Sequence, residues 1–274
     1  MLDAMNKCVV SLIYKDKGER YNLKYYRPIA VSSILYRIMA KTMVIALRPL
    51  LPQLVSSAQG AFQKDELISD ATRLTQDVIS YCNNTGNKGL LVMCDQDNAY
   101  PRVDWDYLQA VMTQMGIHDD FRALVRTMYK GITLQFKING VIDQYAAKAS
   151  CATPYSDGAY DTGNSSGSSN GDGPHDVQVS NGLAQGDPLS PVLYLLCIQG
   201  LISLVTRDAE SGDARRLRGI PLPPREDSRG GPSTRTLISA FADDLCLYLQ
   251  DEQQLPRFRE LLKIYEQGSG AKNS

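Results

Sequence analysis

Residues 237–249 read Leu-Ile-Ser-Ala-Phe-Ala-Asp-Asp-Leu-Cys-Leu-Tyr-Leu, and this stretch decides the predicted fold. Two short apolar runs rich in strand-forming residues flank a pair of carboxylates, which predicts a β-hairpin with its tip at Asp243-Asp244. Adjacent carboxylates repel each other unless a cation or water screens them. The pair therefore indicates either an ordinary Asp-rich surface turn or a site for Mg²⁺, which takes oxygen ligands from carboxylates and substrate phosphates.

A third carboxylate, Asp95, ends the apolar run Gly-Leu-Leu-Val-Met-Cys at residues 89–94. The unbroken run predicts a short strand that is buried on both faces. If this strand neighbours the hairpin, three carboxylates converge, as in sites that hold two divalent ions about 3.5–4 Å apart for nucleotidyl transfer. One ion then lowers the pKa of a primer 3′-hydroxyl, and the other holds the triphosphate and the leaving pyrophosphate. The spacing leaves open the alternative that Asp95 is a simple turn or capping carboxylate.

Length and composition set wide limits on the fold and on the partners. The chain has 274 residues, of which 43% are hydrophobic, enough for one large domain or two smaller subdomains. Its net charge of -1 gives no support to nucleic-acid binding, although cations outnumber acids in the first fifth of the chain, which permits a local basic face.

The cysteines and the hydropathy pattern bear on the compartment. Six scattered cysteines without a C-x-x-C pair predict reduced thiols in an intracellular, reducing compartment and argue against a zinc site. No uninterrupted apolar run reaches about 18 residues, so we predict no membrane span.

Local patterns predict several further elements. Ser32 or Ser33 is a suitable N-cap for an amphipathic helix over 34–47, with Leu35, Ile38, Met39 and Met43 on one apolar face. The Asn139-Gly140 pair predicts a hairpin turn, and Ser190 is a suitable cap for a long apolar helix. Residues 150–176, which are dominated by Ser, Gly, Asn and Asp, are expected to form a disordered insertion in a loop.

A series of motifs follows in the order known from one family. They are Tyr-Arg-Pro-Ile at 26–29, Leu-Tyr-Arg-Ile-Met-Ala-Lys at 35–41, Gln-Gly-Ala-Phe at 59–62, Cys-Asp-Gln-Asp-Asn-Ala-Tyr-Pro-Arg-Val-Asp at 94–104, Asn-Gly-Leu-Ala-Gln-Gly-Asp-Pro-Leu-Ser-Pro at 181–191, Phe-Ala-Asp-Asp at 241–244 and Gly-Ser-Gly-Ala-Lys-Asn-Ser at 268–274. Together they resemble the reverse transcriptase domain of non-LTR (LINE-type) retrotransposons, over nearly the whole chain except the Ser/Gly-rich insertion.

The resemblance implies an α+β right-hand polymerase fold with an antiparallel palm sheet flanked by helices. Residues 1–89 are expected to form part of the fingers, and residues 90–274 the palm, with a further fingers segment at about 105–180. We expect a fragment of a retrotransposon polyprotein that lacks the thumb and endonuclease regions. The implied activity is RNA-directed DNA polymerase, adding dNTPs to a DNA primer on an RNA template, without a membrane partner and with the nucleus as the expected location.

The resemblance also assigns the catalytic residues. Asp95, Asp243 and Asp244 are the expected catalytic carboxylates and metal ligands, with Asp244 the more peripheral one. The backbone carbonyl of Gln96 is expected to be a further ligand. The implied cofactors are two Mg²⁺ ions, for which Mn²⁺ is a possible substitute.

Four residues are expected to bind the incoming nucleotide. Tyr100 resembles the aromatic steric gate that excludes a ribose 2′-hydroxyl, with an ordinary core aromatic as the alternative. Arg27 is expected to hold the triphosphate, because a guanidinium matches phosphate oxygens. Gln185 and Gly186 are expected to border the nucleotide and the template base, although Gly186 also suits a plain turn. Asp187 is expected to be a structural loop residue.

Two departures from the family pattern affect the expected activity. Pro101 stands where the family usually has an acidic residue, and Asn181 stands where it has a basic one. The alternative function is therefore a truncated or decayed, catalytically inactive module that binds nucleic acid. A group II intron or telomerase-type enzyme is a related possibility that fits the motifs less well.

Overall fold

The computed structural model describes residues 7–63, 66–138, 141–142, 177–178, 181–223 and 235–272, so the predicted insertion at 150–176 and the Asn139-Gly140 turn lie outside the described residues. The elements of the described part, in chain order, are β1 (Lys7–Tyr14), β2 (Tyr26–Val31), α1 (Ile34–Leu47), α2 (Leu51–Leu54), α3 (Ile68–Thr85), β3 (Leu90–Cys94), α4 (Trp105–Gln114), α5 (Asp119–Tyr129), β4 (Thr133–Ile138), β5 (Val141–Ile142), β6 (Val177–Gln178), α6 (Ser190–Glu210), β7 (Ile220–Pro221), β8 (Arg235–Thr236), β9 (Ile238–Phe241), β10 (Asp244–Leu249) and α7 (Leu255–Ser269).

The chain forms two compact units, each made of two segments. Unit 1 comprises Met1–Leu47 and Tyr100–Ser190, and unit 2 comprises Arg48–Ala99 and Pro191–Ser274. In unit 1 the strands follow the order β2-β1-β4-β5, and β6 also pairs with β4. Strand β1 runs antiparallel to β2 and parallel to β4. The antiparallel pairing of β4 with β5 confirms that the two predicted hairpin strands pair over their described residues.

Helix α1 has the predicted bounds, but the predicted apolar face is only partly right, since Met43 is buried and Met39 partly buried while the other two residues are exposed. Leu35 and Ile38 are 60% and 58% exposed, whereas Tyr36 and Ala40 are buried. The sequence carries two apolar stripes at helical spacing, and the stripe through Tyr36 and Met43 is the buried one. The Tyr36 hydroxyl lies 3.4 Å from the carboxylate of Asp187. Because this polar tip has a buried partner, the aromatic ring can turn inward.

Unit 2 is built around helix α6 and a three-stranded antiparallel sheet with the order β3-β10-β9. By length and composition alone, α6 is apolar enough to cross a membrane, but 61% of its apolar window is buried inside the protein. That burial is typical of a core helix. Strands β7 and β8 form a separate antiparallel pair.

The prediction that β3 is buried on both faces is wrong. Met93 is 74% exposed, and the other β3 residues except Cys94 are only partly buried. Met93 and Cys94 point to opposite faces of the sheet, so at this position only the face that carries Cys94 is covered by described residues.

Candidate active site

The three predicted catalytic carboxylates lie at one end of the unit 2 sheet. Cys94, the last residue of β3, is paired with Leu245 of β10. Because the two strands are antiparallel, Asp95 follows the pair on one strand and Asp244 precedes it on the other. The register of β3 against β10 therefore brings together groups that are about 150 residues apart in sequence.

The hairpin turn lies one residue earlier than predicted. Phe241 is paired with Asp244, so the turn consists of Ala242 and Asp243, and Asp244 is the first residue of β10. Ala242 has a φ of 56°, a conformation that normally favours glycine. The predicted tip at Asp243-Asp244 is corrected because an Ala in this conformation gives no turn signal in the sequence.

Gln59 holds this turn from the neighbouring loop, a role that the sequence did not reveal. The side chain of Gln59 is fully buried. Its Oε1 accepts hydrogen bonds from the amides of Ala242 at 2.9 Å and Ala61 at 3.0 Å, and its Nε2 donates to the carbonyl of Ala242 at 3.1 Å. One amide side chain thus satisfies both backbone groups of Ala242. The Gln-Gly-Ala-Phe motif was the only sequence signal for this residue.

Burial raises the pKa of Asp243 above its ordinary value of 3.8, and the carboxylates of Asp244 and Asp95 raise it further. Asp243 is half-buried, while Asp95 and Asp244 are exposed. The three carboxylates therefore interact electrostatically. Their hard oxygen atoms are the ligand type that Mg²⁺ and Mn²⁺ prefer. In donor chemistry, though not in spacing, the three side chains suit a divalent cation.

Within the described part of the chain, no group of three or more His, Cys, Asp or Glu side chains lies close enough together to hold a metal ion. Gln96, whose backbone carbonyl is the predicted further ligand, turns its side chain into the core, where it is 4% exposed. Its Oε1 accepts a hydrogen bond of 2.6 Å from the hydroxyl of Tyr194 on α6. This contact fixes the residue that follows Asp95.

The predicted nucleotide-binding residues all belong to unit 1, where backbone hydrogen bonds tie their segments together. The carbonyl of Tyr100 accepts a bond of 2.7 Å from the amide of Leu183. Two residues later, the carbonyl of Gln185 accepts a bond of 2.7 Å from the amide of Ala30 in β2. Strand β2 also carries Arg27, whose side chain is exposed. The Tyr100 turn, the Gln185 loop and β2 are therefore neighbours.

The glycines of the 181–191 loop allow close backbone packing inside unit 1. Gly186 has a φ of +103°, and a Cβ there would lie 2.7 Å from the carbonyl oxygen of Ala30. A Cβ at Gly182 would lie 2.4 Å from the carbonyl oxygen of Pro101. Asn181, which replaces the family's basic residue, accepts a bond of 3.1 Å from the amide of Trp105 at the start of α4. The two residues that depart from the family pattern, Pro101 and Asn181, thus both contact neighbouring segments of unit 1.

Asp187 is the structural loop residue that the sequence predicts. It is 5% exposed, and its Oδ2 accepts a bond of 2.7 Å from the hydroxyl of Tyr129, while its Oδ1 accepts one of 3.1 Å from the amide of Leu189. Burial raises the pKa of Asp187 above 3.8, and these hydrogen bonds counteract only part of that effect.

Replacing Asp187 with Asn is expected to remove a pH dependence of stability. Because the folded pKa is raised, the folded state binds more protons than the unfolded state between pH 3.8 and the raised value, so the wild-type free energy of unfolding falls as pH rises through this window. Urea unfolding from pH 3 to 8 should therefore show the variant gaining stability relative to wild type as pH rises, with a plateau above the window. A constant difference across the range would contradict this assignment.

Comparison with known proteins identifies the family. The family model described as reverse transcriptase (RNA-dependent DNA polymerase) matches residues 14–272. The transposon TX1 uncharacterized 149 kDa protein of Xenopus laevis is 27% identical over 266 residues, which are 97% of this chain and 17% of that protein. The uncharacterized mitochondrial protein AtMg01250 of Arabidopsis thaliana is 44% identical over 68 residues, 25% of this chain and 48% of that protein. The chain thus spans less than half the length of these relatives.

Solved structures with a similar fold include telomerases. The telomerase of Candida albicans, in complex with a fragment of telomeric RNA, has a TM-score of 0.57 at 10% identity. The match covers 98% of this chain and 40% of the telomerase chain. The telomerase of Candida tropicalis has a TM-score of 0.55 at 11% identity, and the match covers 100% of this chain and 40% of the telomerase chain. At these identities the likeness shows the fold alone. The motifs, the family match and the fold agree, and the chain belongs to the reverse transcriptase (RNA-dependent DNA polymerase) family, with a relative in a transposon.

Proposed function

We propose that this chain is the polymerase part of a longer retrotransposon protein and that it extends a DNA primer on an RNA template with dNTPs. The observation that carries the proposal is the register of β3 against β10, which gathers Asp95, Asp243 and Asp244 in a chain matched by the family over residues 14–272. In this proposal residues 1–89 belong to the fingers, residues 90–274 form the palm with a fingers segment at about 105–180, and the reaction takes place in the nucleus.

The carboxylates of Asp95 and Asp243, with the carbonyl of Gln96, would hold two divalent ions, and Asp244 would stand beside them. Such ions supply Lewis-acid charge for in-line transfer to a 3′-hydroxyl. The protein's own contribution is to hold the carboxylates in place before the substrate arrives. The bond from Tyr194 to Gln96 and the Gln59 hydrogen bonds to Ala242 support this role, because they fix both chain segments that carry the carboxylates.

Unit 1 would supply the nucleotide contacts. The exposed guanidinium of Arg27 would hold the triphosphate, and Tyr100 would exclude a ribose 2′-hydroxyl by its bulk. Gln185 and Gly186 would border the nucleotide and the template base. Their shared attachment to β2 and to the Tyr100 turn supports a common role.

A second candidate is a module that binds nucleic acid without turnover, and Pro101 favours it. In place of the family's acidic residue, Pro101 lines a small cavity of about 50 Å³ together with apolar side chains such as Phe136 and Ile132. An acidic residue beside these apolar side chains would lose part of its hydration, whereas proline packs against them without that cost.

A primer-extension assay separates the two functions. With a labelled DNA primer on an RNA template, dNTPs and Mg²⁺, we expect extension that falls below about 1% of its rate when EDTA removes the metal. Binding of the same duplex is measured by fluorescence anisotropy in parallel. Binding without incorporation in either Mg²⁺ or Mn²⁺, also in a chain prolonged at its C-terminus, would establish the inactive module instead.

A further inference from the structure

Helix α1 exposes a second apolar stripe, on the side opposite the one that it buries. Ile34, Leu35, Ile38 and Ile45 are each between 58% and 66% exposed, whereas the face through Tyr36 is buried. At 3.6 residues per turn, the three isoleucines fall within one narrow sector of the helix surface, and Leu35 lies beside them. Single exposed apolar side chains are common on proteins, but four on one face of one helix mark a contact surface.

The stripe has the spacing of a seam between paired helices. Steps of four, three and four residues lead from Ile34 through Ile38 and Lys41 to Ile45. This alternation keeps one seam facing a partner helix, which then crosses at a shallow angle of about 20°. At about 1.5 Å per residue, the seam from Ile34 to Ile45 is about 17 Å long. A partner helix of roughly three turns would therefore cover it.

The charge along the seam is positive. Arg37 and Lys41 are both exposed, and Lys41 lies in the seam itself while Arg37 lies at its flank. Helix α1 carries no acidic residue, and the sequence contains no Asp or Glu between Arg20 and Lys64. A partner on this face therefore meets two cations with no carboxylate on the helix to neutralise them. Acidic side chains on the partner would supply the complementary charge.

Two other occupants fit this face less well. A second copy of the chain would bring its own Arg37 and Lys41 to the contact, so that the cations of both copies would meet without a carboxylate. Nucleic acid would match the cations, but grooves that bind single strands also present aromatic rings on which bases stack. The one aromatic residue of α1 is Tyr36, which is buried. The exposed aliphatic side chains point instead to a protein surface.

We propose that this face of α1 docks an acidic amphipathic helix of another protein. The partner lays its apolar side chains along the three isoleucines and places carboxylates beside Arg37 and Lys41. The isoleucines supply the apolar area that is buried, and the two cations select the partner and its orientation. The inference adds a protein partner to the proposed polymerase function and does not depend on it.

Fluorescence anisotropy with designed peptides tests the docking. The labelled probe is a helix of three heptads with leucine at positions a and d, glutamate at e and g and alanine elsewhere, and a second probe has lysine in place of each glutamate. We expect the 274-residue chain to bind the glutamate probe at least about tenfold more tightly than the lysine probe in about 0.1 M salt. Ile38→Ser should weaken binding of the glutamate probe at least about fivefold, and Lys41→Glu should reverse the order of the two probes.

Helix α7 provides the matched controls. Ile264→Ser and Lys263→Glu make the same two changes at exposed positions, and binding of both probes should stay within about twofold of wild type. Equal affinity for both probes, or unchanged binding by Ile38→Ser, would overturn the proposal. Displacement of the bound probe by a primer-template duplex would also overturn it, because nucleic acid would then occupy the face. A dimer of the chain that Ile38→Ser abolishes would assign the face to a second copy instead.

Discussion

Replacing Asp243 with Asn is expected to lower the rate of primer extension at least about a thousandfold, with little change in binding of the primer-template duplex. Asp243 lies in the two-residue turn of the hairpin, beside Asp95 and Asp244, where the proposed mechanism needs a fully charged carboxylate to hold a divalent ion. An amide has nearly the same shape but lacks the charge, and electrostatic groups at a reaction centre contribute factors of this order.

The control for this prediction is Asp77→Asn, which makes the same chemical change at an exposed position on helix α3 of the same unit. Its extension rate should stay within about twofold of wild type, since a surface substitution of this kind has little effect. Thermal unfolding of the Asp243 variant should not shift downward, because the substitution removes one of three mutually repelling carboxylates. Robust extension by the Asp243 variant would refute the catalytic assignment.

Replacing Gln59 with Leu is expected to destabilise the protein by about 2–5 kcal/mol and to slow extension more than tenfold. The substitution keeps the approximate volume of the side chain but leaves the amides of Ala242 and Ala61 without their acceptor and the carbonyl of Ala242 without its donor. Each buried backbone group that loses its partner costs about 1–3 kcal/mol. The rate falls because the turn that carries Asp243 loses its fixed position.

Urea unfolding and primer extension measure the two effects of this variant separately. Gln76→Leu, at an exposed position of helix α3, is the matched control and should change stability by less than about 0.5 kcal/mol. If the Gln59 variant retained wild-type stability and rate, Gln59 would not hold the turn in solution. A loss of stability with an unchanged rate per folded molecule would leave Gln59 as a purely structural residue.

Much of the local structure could be predicted because its signals are local. The apolar runs of β1, β3 and the 237–249 hairpin are bounded by polar turns, and α1 has its predicted bounds. Asp104 caps α4 through a bond of 2.8 Å to the amide of Tyr107, as expected of an aspartate before an amphipathic run. The candidate carboxylates could also be identified from the sequence, because a charged residue directly after an apolar run is a clear break in the hydropathy pattern.

The face that a helix buries and the residues that hold a turn depend on partners far away in sequence. Two apolar stripes on α1 are equivalent by periodicity, and the buried contact of Tyr36 with Asp187 distinguishes them. Gln59 supports Ala242 across 183 positions of sequence, and neither residue belongs to a type that signals this contact. No pattern within a short window contains such information.

The sequence by itself determined the family, most of the helices and strands and the three candidate carboxylates, because these reside in motifs and in the periodicity of neighbouring residues. Only the tertiary structure decided the register that brings Asp95 beside Asp244, the one-residue shift of the hairpin turn and the exposure of Met93. The physical reason is that strand pairing is set by backbone hydrogen bonds and packing between distant segments. The residues of a segment predict that it forms a strand, and the rest of the fold determines its partner strand and its register.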